Sequence, residues 1–472
     1  MLGRALDQHA RLQDQPTRPE RCIAPGCCHQ LQRCPGLIDH AGHGPDAKED
    51  PQADAVVALE RDDIALQGDG SVVRHHKSIV KLLDAQRGKD KFADVHVPFD
   101  RRRQTLQIRV ARTVNADGVA HPVSSEELSD IVPERLAEAA IYSDVRERVV
   151  SFPAVDVGSV IELEYTLTTA PTADAPRGGE ELLATWDPVL ERSVTISTPP
   201  GVTPELEVVG EELSPVVTES PQGRVWTYTV RSLPDRQPEP DAPPDAAVLP
   251  RLVYAFQKSW AEVAERVATP FARVVLPAQP APAIRVQADQ LAQGAAGAAQ
   301  TAARLFAFVA HDVRSVDLQL GEAGYEPHAA EVVLANRYGD SRDKACLLLA
   351  LAAVRDIRGW PVLVRTGGVP VLDGVPTLAQ FDHLLVVLEV DGHEVWLDPS
   401  DENGQYGLAF AGQDNLVLPL ALTGASRDAR GLVHRAAQNP HQSVANVKEE
   451  FTLAPSGDLD ATYEYTLSGY YA

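Results

Sequence analysis

Tyr338-Gly339-Asp340-Ser341-Arg342-Asp343-Lys344-Ala345-Cys346-Leu347-Leu348-Leu349-Ala350-Leu351-Ala352-Ala353-Val354 is the stretch from which the rest of this 472-residue chain is read. Asp340 is a good N-cap, and Asp343 suits the positive end of a helix. Gly359 with Pro361 supplies a stop, so the pattern predicts a helix over 341–358. From Ala345 to Val354 the segment is apolar all round, as in helices enclosed by protein. Ser341 stands at the mouth of that helix, where unpaired N–H groups carry partial positive charge. Cys346 lies about 140° round the axis and about 7.5 Å deeper, so it reads as core and not as a stand-in for Ser341.

Downstream come Phe381-Asp382-His383 on an apolar strand and Trp396-Leu397-Asp398-Pro399 on the next. Asp391-Gly392 between them is a two-residue hairpin turn. If Val390 pairs with His393, Asp398 falls opposite Leu385 and Ser400 opposite His383. His383 and Asp398 then become diagonal neighbours on one face, about 7–8 Å apart at the backbone and within side-chain reach. An Asp on one imidazole nitrogen fixes the tautomer and leaves the other nitrogen to take a proton.

A helix start would lower the pKa of a thiol placed there and could hold a developing oxyanion. A serine gains less, because its hydroxyl stays protonated and needs a full general base. The expected site is therefore Ser341, His383 and Asp398, with no cofactor and no metal.

These motifs resemble the bacterial transglutaminase-like domain of papain-like fold, whose pattern runs Gly-Asp-Cys-(Lys/Arg)-Asp-Lys-Ala, then Phe-Asn-His, then Trp-Leu-Asp-Pro. The resemblance covers about 285–420 and implies a nucleophile at Ser341, a base at His383 and an orienting acid at Asp398. Residues 53–260 are similar to a β-sandwich domain of unknown function that precedes it in a set of bacterial proteins. Residues after 425 resemble the start of their C-terminal β domain. Here Ser341 stands where the family has cysteine, and Asp382 where it has asparagine. Family members are usually exported to the cell envelope. Calcium, used by animal transglutaminases, finds no acidic loop in this sequence.

The remainder fits that frame. Ile161, Leu163, Tyr165 and Leu167 alternate with Glu162, Glu164 and Thr166, and Leu106, Ile108 and Val110 do the same. Trp226, Tyr228 and Val230 repeat the pattern. Period two with turn residues between predicts an antiparallel sandwich or a wide curved sheet over 53 to about 233, in a β-sandwich domain taken over 53–258, with one helix within 126–141. Val194–Ser197 and Leu206–Val209 suggest a second strand group. The proline-rich 234–250 reads as a linker, and Leu252–Phe256 as a strand of the first module. Ser259 caps a helix from Trp260, and His328 to Asn336 reads as a short helix. The expected architecture is multidomain: an N-terminal β-sandwich, a central α+β transglutaminase-like domain over 259–425, and a C-terminal β module cut short over 426–472.

A net charge of −24 without a basic stripe disfavours nucleic acid and anionic membrane as partners. No apolar run is long enough to span a bilayer. Cys22, Cys27, Cys28 and Cys34, with His29, His40 and His43, lack the spacing of a zinc site. Residues 1–52 are read as a disordered or misassigned extension with no signal peptide. The function expected is a degenerate acyl-transfer site that binds peptide or protein. The alternative is an active acyl transferase or amidohydrolase using Ser341.

Overall fold

The computed structural model describes residues 53–469, apart from 85, 173–176, 238, 410, 423–430 and 438–442. The cysteine- and histidine-containing segment before residue 53 lies outside the described residues. The chain is β-rich and built from several sheets, with the longer helices gathered in one central region and two short ones, Arg87–Phe92 and Asp245–Val248, in the first module.

The first module contains β1 (Ala55–Leu66), β2 (Val72–Leu82), β3 (Asp94–Asp100), β4 (Gln104–Val114), β5 (Ala120–Pro122), β6 (Leu128–Ile131) and β7 (Val145–Ser151). It continues with β8 (Val160–Thr169), β9 (Gly178–Leu182), β10 (Val189–Thr198), β11 (Glu205–Val209), β12 (Val216–Ser220), β13 (Gly223–Leu233) and β14 (Arg251–Ala255). One large sheet runs in the order β12-β13-β10-β1-β2-β8-β4-β5, and two small sheets run β11-β14-β9 and β3-β7-β6.

The alternation read from the sequence is real, but three expectations need correction. The sheet is not wholly antiparallel, because β1 pairs with β10 in parallel. Val194–Ser197 belongs to β10 in the large sheet and Leu206–Val209 to β11 in a small one, so they are not one group. The helix expected within 126–141 is instead β6 with separate 3-10 turns at Ser125–Glu127, Glu134–Leu136 and Ala140–Tyr142. Pro133 breaks that segment, since a proline interrupts the helical hydrogen-bond ladder. β14 does belong to the first module, between β11 and β9.

The central region carries α1 (Trp260–Val275), α2 (Pro282–Ala292), α3 (Ala298–Asp312), α4 (Ala330–Asn336) and α5 (Ser341–Val354). The hydroxyl of Ser259 accepts from the Glu262 amide and caps α1 as expected. Helix α5 ends four residues before the predicted boundary. Asp356 takes a left-handed φ of 55°, and Gly359 and Pro361 lie in the following strand rather than ending the helix. Two short strands, β15 (Arg314–Ser315) and β16 (Tyr338–Gly339), pair in parallel and lead the chain into α5.

The central sheet runs β19-β18-β17-β20-β21, from β17 (Arg358–Val364), β18 (His383–Val390), β19 (His393–Leu397), β20 (Asn415–Pro419) and β21 (Val433–Arg435). Leu384, Val386 and Leu388 face the helices and pack with Leu347, Leu348 and Leu351. Leu385 and Val387 face the other way, with Val362, Val364 and Val417. Beyond it, β22 (Val444–Leu453) and β23 (Leu459–Ser468) form a hairpin.

Leu348 is fully buried at the centre of the largest core. Leu348→Ala should cost about 2–5 kcal/mol through lost burial and the cavity left behind. Denaturant unfolding followed at the central region's tryptophans would measure it.

Candidate active site

The hairpin register is the one that the Asp391-Gly392 turn prefers. Val390 pairs with His393 and Val386 with Leu397, and both turn residues have positive φ, at 51° and 81°. The consequence at the strand ends is a direct bond: His383 Nε2 lies 2.9 Å from Asp398 Oδ2. The second carboxylate oxygen accepts from the Ser400 amide at 3.1 Å and from the Ser400 hydroxyl at 2.6 Å. Both oxygens of Asp398 are thus held, and the ring nitrogen left over is Nδ1. Ser400 Oγ is also 3.4 Å from His383 Nε2, in keeping with its place opposite His383 in the register.

Burial alone would lower the His383 pKa, but the Asp398 charge and hydrogen bond, with Asp382 and Asp340, raise it above the ordinary histidine value. Asp398 moves the other way. Burial would raise it, yet His383 and Ser400 hold it below the usual carboxylate range. The pair is therefore an ion pair across the pH window between the two.

Around the start of helix α5 lie four buried charged residues, each with its own partners. The Asp340 carboxylate caps the helix by accepting from the Asp343 amide at 2.9 Å, and Arg342 Nη2 donates to it at 2.8 Å. Arg342 Nη1 also reaches the carbonyls of Ala323 and Gly324. Asp343 accepts from the His328 amide and from His328 Nδ1, both at 2.8 Å. Lys344 Nζ donates to the carbonyls of Ala310 and Val313 and to Ser315 Oγ, at 3.2, 2.6 and 2.8 Å. Burial raises Asp340 to about 6 and lowers Lys344 to about 8.

Ser341 is the first residue of the helix and 7% exposed. Neither its amide nor that of Arg342 donates to a described residue. No hydrogen bond joins Ser341 to His383. The His–Asp pair lies on the sheet face of Leu385 and Val387, whereas α5 packs on the face of Leu384 and Val386. The two are linked round the end of the sheet: Lys344 donates to Ser315 Oγ, which donates to the Ser400 carbonyl, while Ser400 Oγ holds Asp398. Asp340, next to Ser341, is close enough to help raise His383.

Asp382 is not a bare charge beside the base. Its oxygens accept from the Thr366 amide and hydroxyl, each at 2.9 Å, and Arg365 Nε lies 3.6 Å away. Cys346 is fully buried with its thiol pKa pushed well up by burial, as its deep position on α5 foretold. Among the described residues, Glu60, Asp62 and His76 have metal-ligating atoms within 4.8 Å of one another. Arg192 at 2.6 Å and Arg74 at 3.1 Å already neutralise Asp62, so the cluster is an ion-pair network. Sequence reasoning missed Tyr142, Ser315 and His328 as supports of the helix start, because nothing local to them points at residue 343.

Comparison with known proteins agrees with this architecture. Residues 68–237 match a family described as a domain of unknown function with solved structure, DUF3857. No curated protein matches the chain by sequence. A crystal structure of a proposed protease from Parabacteroides distasonis shares the fold. Its TM-score is 0.70 at 19% identity, over 85% of this chain and 77% of that one. Weaker likenesses are a proposed cysteine protease from Cytophaga hutchinsonii and the periplasmic domain of TgpA from Pseudomonas aeruginosa. The first has a TM-score of 0.22 at 10% identity, over 84% of this chain and 90% of that one. The second has a TM-score of 0.21 at 12% identity, over 50% and 85%.

Two outcomes follow. Asp398→Asn should lower the titration midpoint of His383, read by NMR of the imidazole, because the charge that raises it is gone. Lys344→Met leaves two carbonyls and Ser315 without their buried donor, and should cost about 2–4 kcal/mol in a denaturation midpoint.

Proposed function

We propose that residues 259–425 form a transglutaminase-like domain of papain-like fold, in which Ser341 occupies the nucleophile position, His383 the base and Asp398 the orienting acid. Residues 53–258 form its preceding β domain, and 426–472 begin a C-terminal β module. The observation that carries this reading is the His383–Asp398 bond with both carboxylate oxygens held and Nδ1 unused. The Lys344–Ser315–Ser400 chain supports bringing the helix start to that pair round the sheet end, and so does the influence of Asp340 on His383. The two undonated amides at residues 341 and 342 suit a developing oxyanion.

With serine in place of a thiol, the site binds peptide or protein and does not turn it over efficiently. An imidazole paired with Asp398 and raised in pKa keeps its proton to higher pH than a free one, and a protonated ring cannot accept the hydroxyl proton. The intact, buttressed His–Asp pair favours one alternative, an acyl transferase or amidohydrolase acting through Ser341. Such an enzyme would form a covalent acyl-Ser341 ester.

Incubation with thiol- and serine-directed probes, read by intact mass, separates these readings. The native protein should resist a fluorophosphonate. Ser341→Cys should be alkylated by iodoacetamide with a midpoint well below the ordinary thiol value near 8.5. Fluorophosphonate labelling of the native protein that disappears in Ser341→Ala would establish the serine enzyme instead. A thiol of ordinary midpoint at position 341 would overturn the site itself.

A further inference from the structure

Tyr142 belongs to the first module, in the 3-10 turn Ala140–Tyr142, yet its hydroxyl is the group that closes the polar cluster at the start of α5. It accepts from the Asp340 amide at 2.7 Å and donates to Asp343 Oδ2. One oxygen thus touches the residue before Ser341 and the residue two after it. The ring is 2% exposed and meets His328 edge-on at 5.2 Å between centroids. Its seat is shared between the two modules: Leu136, Ala139 and Val145 pack with Val316 and Leu318 in one apolar cluster. Polar contacts frame it, from Arg135 to the Asp317 carbonyl, from Arg314 to the Glu138 carbonyl, and from the Ile141 amide to Tyr338 Oη.

We propose that Tyr142 is a positioning residue for the Ser341 turn, so that the candidate site is completed by the β module. The proposal rests on Ser341 being the nucleophile position. Asp340 and Asp343 are two buried carboxylates within one helical turn, and repulsion between them would open that turn. Arg342 and His328 compensate part of the charge, and the Tyr142 hydroxyl supplies a further donor to Asp343 while satisfying the Asp340 amide. Burial and the two carboxylates push its phenol far up, so it remains a neutral donor. Without the hydroxyl, Asp343 keeps more uncompensated negative charge near residue 341, and the turn loses the bond that fixes its approach. The charged and titratable groups around that turn are Asp340, Arg342, Asp343, Lys344, His328 and, from β18, His383.

The test uses the full chain with Ser341→Cys as a reporter, and compares the pH midpoint of its alkylation with that of Ser341→Cys/Tyr142→Phe. Phenylalanine keeps the ring and removes only the hydroxyl. The expected result is a midpoint at least half a unit higher, or about threefold less alkylation on the acid side. A merely structural role would lower the melting temperature and leave the midpoint in place, and that result overturns the proposal. If the Phe variant does not fold, Leu136→Ala, which loosens the shared apolar seat without touching a polar group, replaces it with the same expectation and the same overturning result. Amide exchange of 340–343 in the Ser341 protein is read alongside and needs no thiol. Tyr142→Phe should quicken it there and nowhere else, and unchanged exchange counts as refutation. An ordinary thiol midpoint in Ser341→Cys alone, with exchange still quickened by Tyr142→Phe, would refute the site reading and leave the positioning role standing.

Discussion

The start of helix α5 imposes the strictest demand on this fold. Asp340, Ser341, Arg342, Asp343 and Lys344 are all buried, at 7% exposure or less. An ionised group removed from water without a partner costs several kcal/mol. Arg342, Asp343 and Lys344 therefore recruit partners from other parts of the chain, the 323–324 loop, His328, and the end of α3 with Ser315, while the Asp340 carboxylate is held within the turn by Arg342 and the Asp343 amide. The apolar remainder of α5 sets only how deep the helix sits. The polar turn determines where its first residue points, because so many independent bonds converge on it.

That demand explains why the β module and the central region are joined as they are. Tyr142 reaches the helix start from one side. On the other side, Arg365 bridges Glu180 of β9 to Asp382, next to His383. The Asp382 carboxylate is thereby hydrogen-bonded by Thr366 and faced by a guanidinium that also pairs with Glu180 of the first module. An added negative charge beside the base is tolerated because its field is largely compensated locally, although it still helps to raise His383.

What could be read from the sequence was whatever local physics decides. The Asp391-Gly392 turn permits one register, and that register alone brings His383 and Asp398 together. Asp340 as cap and Cys346 as core follow from position along one helix. Period two identified β4, β8 and β13 of the first module. One miss was locally legible: Pro133, within 126–141, argues against a single helix there. The other misses share a cause. The parallel pairing of β1 with β10 joins segments more than a hundred residues apart. Tyr142, Ser315 and His328 act across sequence distances of 15 to 201 residues, as hydrogen-bond partners of α5. Long-range partners of this kind leave no periodic trace.

On the proposed reading of Ser341 as the nucleophile position, the electrostatics of the His383–Asp398 pair bear on what a serine there can do. A thiolate and an imidazolium stabilise one another, so a high histidine pKa and a positive helix end both favour the reactive state of a cysteine site. A serine site needs the opposite: a ring that is neutral before attack and gains its proton only as the oxygen attacks. Asp398, held by Ser400 and aided by Asp382 and Asp340, keeps the His383 proton to higher pH than a free imidazole would. The more completely these carboxylates hold it, the smaller the fraction of molecules in which His383 can act as a base. On the proposed reading, the surroundings of His383 suit an ion-pair site, and the hydroxyl of Ser341 gains less from the helix field than a thiol would.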